Sequence, residues 1–337
     1  MRTLLRSFSF SIFATLAVLV WVAFGLGLGA LWTTMVLIAI EVAFSFDNAI
    51  VNAKILEKLS HFWQQLFLTL GMVVAILGLR LVFPILIVSV GAHLPWRHVV
   101  DLALHHPDLY ASHLEAAHPA IAAFGGGFLL TLALYFFFDG EREVLWHYRI
   151  ERLLQRAGSK WWIAPALTFV IVYVCSMLPL NHYRATTLQG GALGIAIYTV
   201  IKLFIDWVGR LGGQPKKGKI IGASAVIAVL YLELLDASFS FDGVLGAFAI
   251  TTKVTLIAIG LGIGALWVRS LTVFMVRRGI LSTYKYLEHG AHYAILVLAL
   301  ALLVSVFWNV PEAITGVVGL GLILASLIAS HQAIEKI

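Results

Sequence analysis

The chain has 337 residues, of which 61% are hydrophobic and only 12% charged, with a formal net charge of +6. A soluble domain carries about 25% charged residues, so this composition argues against a soluble globular protein and for a polytopic membrane protein. The positive balance does not require nucleic acid, because cytoplasmic loops of membrane proteins collect Lys and Arg, and the single cysteine, Cys175, rules out an intrachain disulfide.

The N-terminal stretch "MRTLLRSFSFSIFATLAVLVWVAFGLGLGALW" has a basic start and an apolar middle longer than a signal core. It is predicted as a retained first span over 8–29, with cleavage near 25–30 as the alternative. Further spans are predicted at 31–53, 63–90, 119–138, 161–180, 187–208, 220–250, 254–276, 291–308 and 312–330, each long enough to cross ~30 Å of hydrocarbon as a helix. The predicted fold is therefore all-α, a polytopic membrane protein with ten transmembrane helices. With the N-terminus cytoplasmic, segments 1–7, 54–62, 139–160, 209–219, 277–290 and 331–337 face the cytoplasm. They hold seventeen of the twenty-three Lys and Arg residues. Arg97, Arg184 and Lys253 fall outside, and Arg80, Lys202 and Arg269 within spans. That asymmetry predicts an even number of spans with both termini cytoplasmic, in a bacterial inner membrane.

The loop over 91–120 contains six of the twelve histidines and three acids, Asp101, Asp108 and Glu115. It has no recognised metal-ligand spacing, so the reading is a solvated external loop with a short amphipathic helix, metal collection being the alternative. The basic segment "DGEREVLWHYRIERLLQRAGSK" at 139–160 reads as an amphipathic interfacial helix, with partner docking as the alternative.

Two segments, "EVAFSFDNAI" at 41–50 and "DASFSFDGVL" at 236–245, carry acids inside apolar runs. Aligning their "FSFD" tetrads places Glu41 over Asp236 and Asp47 over Asp242. Downstream, "GMVVAILGLR" and "GIGALWVR" each end in an intramembrane arginine, Arg80 and Arg269. The predicted unit is five spans, repeated: 1–185 as the first transmembrane repeat and 186–337 as the second. Five is odd, so the second copy crosses in the opposite sense, an arrangement that transporters build around a midplane site.

An Asp at mid-span costs about 2.5–3.5 kcal/mol on insertion scales. Glu41, Asp47, Glu233, Asp236 and Asp242 must therefore face a cavity, pair with cations or bind a metal. Arg80 and Arg269 offset two charges at most and read as structural counter-ions; Lys202 has Asp206 four residues on as a local partner. Residues six apart on a helix point about 120° away from each other. Glu41 and Asp47 can thus face one ion only if the helix bends or unwinds between them. Asn48 and Asn52 add carbonyl oxygens, and Ser45 and Ser240 hydroxyls. Such an all-oxygen set suits Mn²⁺, Mg²⁺ or Ca²⁺ better than Zn²⁺ or Cu⁺.

With these motifs the chain resembles the TerC family of integral membrane proteins, within the LysE-type transporter superfamily. The resemblance rests on "EVAFSFDNAIV" at 41–51, "ELLDASFSFDGVLGAFAIT" at 233–251 and the segments ending at Arg80 and Arg269. It implies a metal-ion exporter, with manganese the best-supported substrate in relatives, and a link to tellurium resistance. It also implies that Glu41, Asp47, Asn48, Asp236 and Asp242 form the metal site, with no organic cofactor and no enzymatic role. Two alternatives belong to other classes. One is a membrane partner protein for metalation or insertion of exported proteins; the other is an intramembrane aspartyl hydrolase whose two Asp residues share a proton. The chain lacks the Gly-x-Gly-Asp sequence usual for the latter.

Overall fold

The computed structural model describes residues 2–74, 78, 82–92, 94–158, 160–211, 222–251 and 253–334. Some side chains within its helices also lie outside the description, among them Asp206, Ser240 and Asp242. Arg80 falls outside the described residues altogether.

Every regular element among the described residues is helical, as expected where no water competes for backbone N–H and C=O groups. In chain order these are α1 (Arg2–Leu26), α2 (Leu28–Phe44), α3 (Phe46–Leu56), α4 (His61–Val73), α5 (Phe83–Gly91), α6 (Trp96–His105), α7 (Pro107–Phe138) and α8 (Tyr148–Ala157). There follow α9 (Ile163–Met177), α10 (Arg184–Leu211), α11 (Ala223–Ile250), α12 (Val254–Arg278), α13 (Ile280–Thr283), α14 (Leu287–Ser305) and α15 (Glu312–Ile334).

Among the described residues, six stretches are long and apolar enough to cross a membrane: Phe8–Leu26, Pro107–Phe138, Arg184–Phe204, Val254–Arg278, Leu287–Ser305 and Ile314–Ile334. A seventh follows if α2 and α3, bent by 49°, count as one broken span. These correspond to seven of the ten predicted spans. Of the other three, 161–180 corresponds to the 15 residues of α9, while 63–90 and 220–250 run through residues or side chains outside the description. The predicted external loop is also shorter than expected. α6 is the short amphipathic helix, burying Val99, Leu102 and Ala103, but α7 starts at Pro107 rather than near 119. Proline at a first helical position, followed by Asp108 in the first turn, is a strong start signal.

The chain forms two compact units, each drawing on both halves of the sequence: 1–56, 60–118 and 232–278 in one; 57–59, 119–231 and 279–337 in the other. In the first unit α12 packs against α1, α2, α3 and α4. Its glycines make this close approach feasible: a Cβ on Gly260 would sit 2.5 Å from Leu37 Cβ, and one on Gly264 2.5 Å from Cβ and Cγ of Glu41. Polar bonds tie α1 to the same helix, with Ser11 Oγ donating to the Leu266 carbonyl at 3.1 Å and Trp267 Nε1 to Thr15 Oγ1 at 2.8 Å. In the second unit α9 packs on α10 and α14 on α15. There α7 meets α10 through glycine, a Cβ on Gly127 falling 2.6 Å from the Gly191 carbonyl oxygen.

Candidate functional site

The site lies in the first unit, where α2 breaks. The Ser45 N–H still closes a helical turn onto the Glu41 carbonyl at 3.0 Å, and the axis then turns into α3. This break falls between Glu41 and Asp47, where one ion facing both acids would require it. Ser45 Oγ donates to Glu41 Oε1 at 3.2 Å. Asp47 sits in the first turn of α3, favourable for a carboxylate at the positive end of a helix, and its Oδ1 accepts the Asn48 N–H at 2.8 Å.

The acids and amides here are buried: Glu41, Asp47, Asn48, Asn52 and Asp236 each expose less than a tenth of their surface. Asn48 Nδ2 donates to Asp236 Oδ1 at 2.5 Å, bridging residues 188 apart in sequence. That bond fixes the amide orientation, since the flipped group would set a carbonyl against a carboxylate. It leaves the buried Asn48 carbonyl oxygen with no hydrogen-bond partner among the described residues. Asn52, one turn along the same face of α3, also holds a buried carbonyl oxygen with no such partner. Buried acceptors left unbonded cost about 1–3 kcal/mol each, so two on one face are a feature requiring a cause.

The two motifs meet in a reciprocal pattern. Glu41 Oε2 lies 3.3 Å from where a Cβ would stand on Gly243, and Asn48 bonds Asp236. In the alignment of the two "FSFD" segments, 41 corresponds to 236 and 48 to 243. Exchanging the motifs therefore turns one contact into the other. The segments cross antiparallel, about a local twofold. A second pair of contacts repeats the exchange loosely: Glu41 packs against Gly264 of α12, and Glu233 against Gly71 of α4.

Glu233 pairs with Arg269, Oε1 to Nη2 at 3.8 Å, a charge contact rather than a hydrogen bond. The guanidinium is oriented from elsewhere: Nη1 donates to the Phe67 carbonyl at 3.1 Å, and the group lies 3.9 Å over the Phe67 ring. Phe67 is not singled out by the sequence; nothing in the local pattern marks a Phe carbonyl as an arginine acceptor. Glu41, Ser45, Asp47, Asn48, Asn52, Glu233, Asp236 and Arg269 thus belong to one unit. Asp242 and Ser240 share α11 with Asp236, their side chains outside the description, as is Arg80.

No three His, Cys, Asp or Glu side chains form a metal-holding group among the described residues. At the described part of the site, oxygens beyond two carboxylates would come from the asparagines. In the histidine loop, His105 Nδ1 lies 2.8 Å from Asp101 Oδ1, one turn away on α6.

A family described as "Protein of unknown function (DUF475)" matches residues 46–336. The "Uncharacterized membrane protein YceF" of Bacillus subtilis (strain 168) is 30% identical over 149 residues, 42% of this chain. The chain spans 56% of that relative's length. No solved structure matches. The family found is thus one of unknown function, and neither match carries the TerC name.

Proposed function

This chain belongs to the DUF475 family and is a membrane protein, and from that premise we propose that it is a TerC-like transporter exporting a divalent metal cation. Manganese is the first candidate, with tellurium resistance a linked phenotype. The observation that carries the reading is the pair of buried carbonyl oxygens of Asn48 and Asn52, without a hydrogen-bond partner among the described residues, on the same helix as Asp47 and next to Asp236. A hard cation would satisfy those oxygens and the carboxylates together. Glu41, Asp47, Asn48 and Asp236 would hold the ion, with Asp242 of α11 and Asn52 completing the set.

The reciprocal contacts between the motifs support an inverted repeat, in which ten spans form two five-helix halves. Alternating access would then rock the halves about the shared acids. The Lys and Arg asymmetry supports both termini in the cytoplasm of a bacterial inner membrane. The lipid bilayer and the cation are the partners of this reading; it includes no organic cofactor and no enzymatic step.

Uptake of Mn²⁺ into inverted vesicles tests it. Asp47→Asn and Asp236→Asn should each lower initial uptake about tenfold or more while the protein still inserts and elutes as a folded species. Uptake equal to that of the unsubstituted chain would reject the assigned site.

A further inference from the structure

α8 is built inside out. On a helix turning about 100° per residue, its residues fall into three stripes: Glu151 with Gln155; Ile150, Leu153 and Ala157; and Arg149, Arg152 and Arg156. The polar stripe is the buried one. Gln155 Nε2 donates to the carbonyls of Asp139 and Arg142, at 2.9 and 3.0 Å. Glu151 is fully buried and accepts the backbone N–H groups of His147 and Trp146, at 3.2 and 3.4 Å. Its carboxylate also lies 3.5 Å from Arg142 Nη2 and 3.3 Å from His289 Nε2, and accepts the Tyr293 hydroxyl at 3.3 Å. Burial alone would raise the Glu151 pKa, but the hydrogen bond and charge of His289, the His147 N–H and Arg142 hold it below its usual value.

The apolar stripe faces away from the chain, with Ile150 57% and Leu153 67% exposed. The basic stripe is exposed as well, and so are Lys160, Trp161 and Trp162 just beyond. A helix packed on a protein core in water would bury Ile and Leu and expose Glu and Gln. Here the opposite holds, and the polar bonds set the depth. Asp139 directly follows α7, while His289 and Tyr293 lie in the first two turns of α14. α8 is therefore pinned where two membrane-crossing helices end.

We propose that α8 is a docking helix for anionic phospholipid. Ile150, Leu153 and Ala157 enter the acyl boundary, Arg149, Arg152, Arg156 and Lys160 engage the phosphate-bearing headgroups, and Trp161 and Trp162 sit at headgroup level. Charge complementarity and the position of the apolar stripe at the membrane boundary select lipid over a soluble protein partner. The inference is independent of the cation reading.

The test uses the full chain carrying Cys175→Ala and Leu153→Cys, labelled at Cys with an environment-sensitive fluorophore. It is reconstituted into phosphatidylcholine vesicles with or without phosphatidylglycerol, either lipid brominated on its acyl chains. Brominated tails should quench the label, with a preference for the anionic lipid of roughly fivefold or more that high salt removes. Arg149→Gln, Arg152→Gln and Arg156→Gln together should abolish the preference and keep the tail quenching. Equal quenching by both lipids in the chain with its arginines intact would overturn the proposal. So would a label quenched by aqueous iodide and not by bromine. A label shielded from both would overturn it in favour of a protein contact.

Discussion

Asn48 and Gly243 occupy matching positions of the two motifs, and they treat the opposing acids differently. Asn48 gives Asp236 an amide donor at 2.5 Å. Gly243 brings no side chain to Glu41, whose Oε2 passes 3.3 Å from the place a Cβ would take. The two motifs are thereby chemically unequal: Asp236 accepts a cross-motif amide, while Glu41 accepts the hydroxyl of Ser45 in its own segment. Asn48→Ala should cost about 1–3 kcal/mol, since Asp236 then loses a charge-assisted bond in a buried setting. Thermal unfolding in detergent measures that loss. Gly243→Asn should leave the protein folded and lower Mn²⁺ uptake severalfold by setting a second amide against Glu41. Unchanged uptake would show that the difference between the halves has no bearing on transport. The residues themselves were readable in advance, because acids in lipid are costly enough to stand out; the reciprocal contacts were not.

α12 shows how an apolar helix can be placed by its smallest residues. Hydropathy marks 254–276 as a span and says nothing of which neighbour it touches. Gly260 and Gly264 decide that, admitting Leu37 and Glu41 of α2 at distances a Cβ would forbid. Gly264→Val should therefore force α2 outward and lower stability by about 1–3 kcal/mol, read as a fall in melting temperature; an unchanged melt would mean that the approach is not tight. The same limitation explains the elements that were misjudged. α7 was expected near 119 because hydropathy rises there, whereas its start is set twelve residues earlier by Pro107. α8 was expected as an amphipathic helix, and it is one. The period-3.6 pattern alone could not tell that its polar side faces inward, because the bonds responsible come from 139–147 and from α14.

In the unit formed by 57–59, 119–231 and 279–337, one carboxylate ties three parts of the chain together. Glu151 of α8 faces the N–H groups of Trp146 and His147, the Arg142 guanidinium, and His289 and Tyr293 of α14. Its pKa is depressed in the fold, so the stability it supplies is present above its unfolded value and fades as pH falls through the lower folded value. Melting temperature should accordingly drop as the medium is acidified below the usual carboxylate range. In Glu151→Ala the group is gone: the protein should start about 3–5 kcal/mol less stable, with Arg142 left without its nearest carboxylate, and lose this part of the acid dependence. Parallel pH–melting curves for the two chains would contradict the assignment.

Composition and hydropathy were sufficient to establish a helical membrane protein, to locate six candidate spans and a seventh broken one, and to single out Glu41, Asp47, Asn48 and Asp236, because transfer into lipid is a property summed along a local stretch. The antiparallel crossing of the two acidic motifs, the pairing of Arg269 with Phe67 and Glu233, and the outward turn of Ile150 and Leu153 were decided only in three dimensions. Each depends on which residues distant in sequence come within a few ångströms, and that is set by close packing at glycines and by directional hydrogen bonds, which no local sum contains.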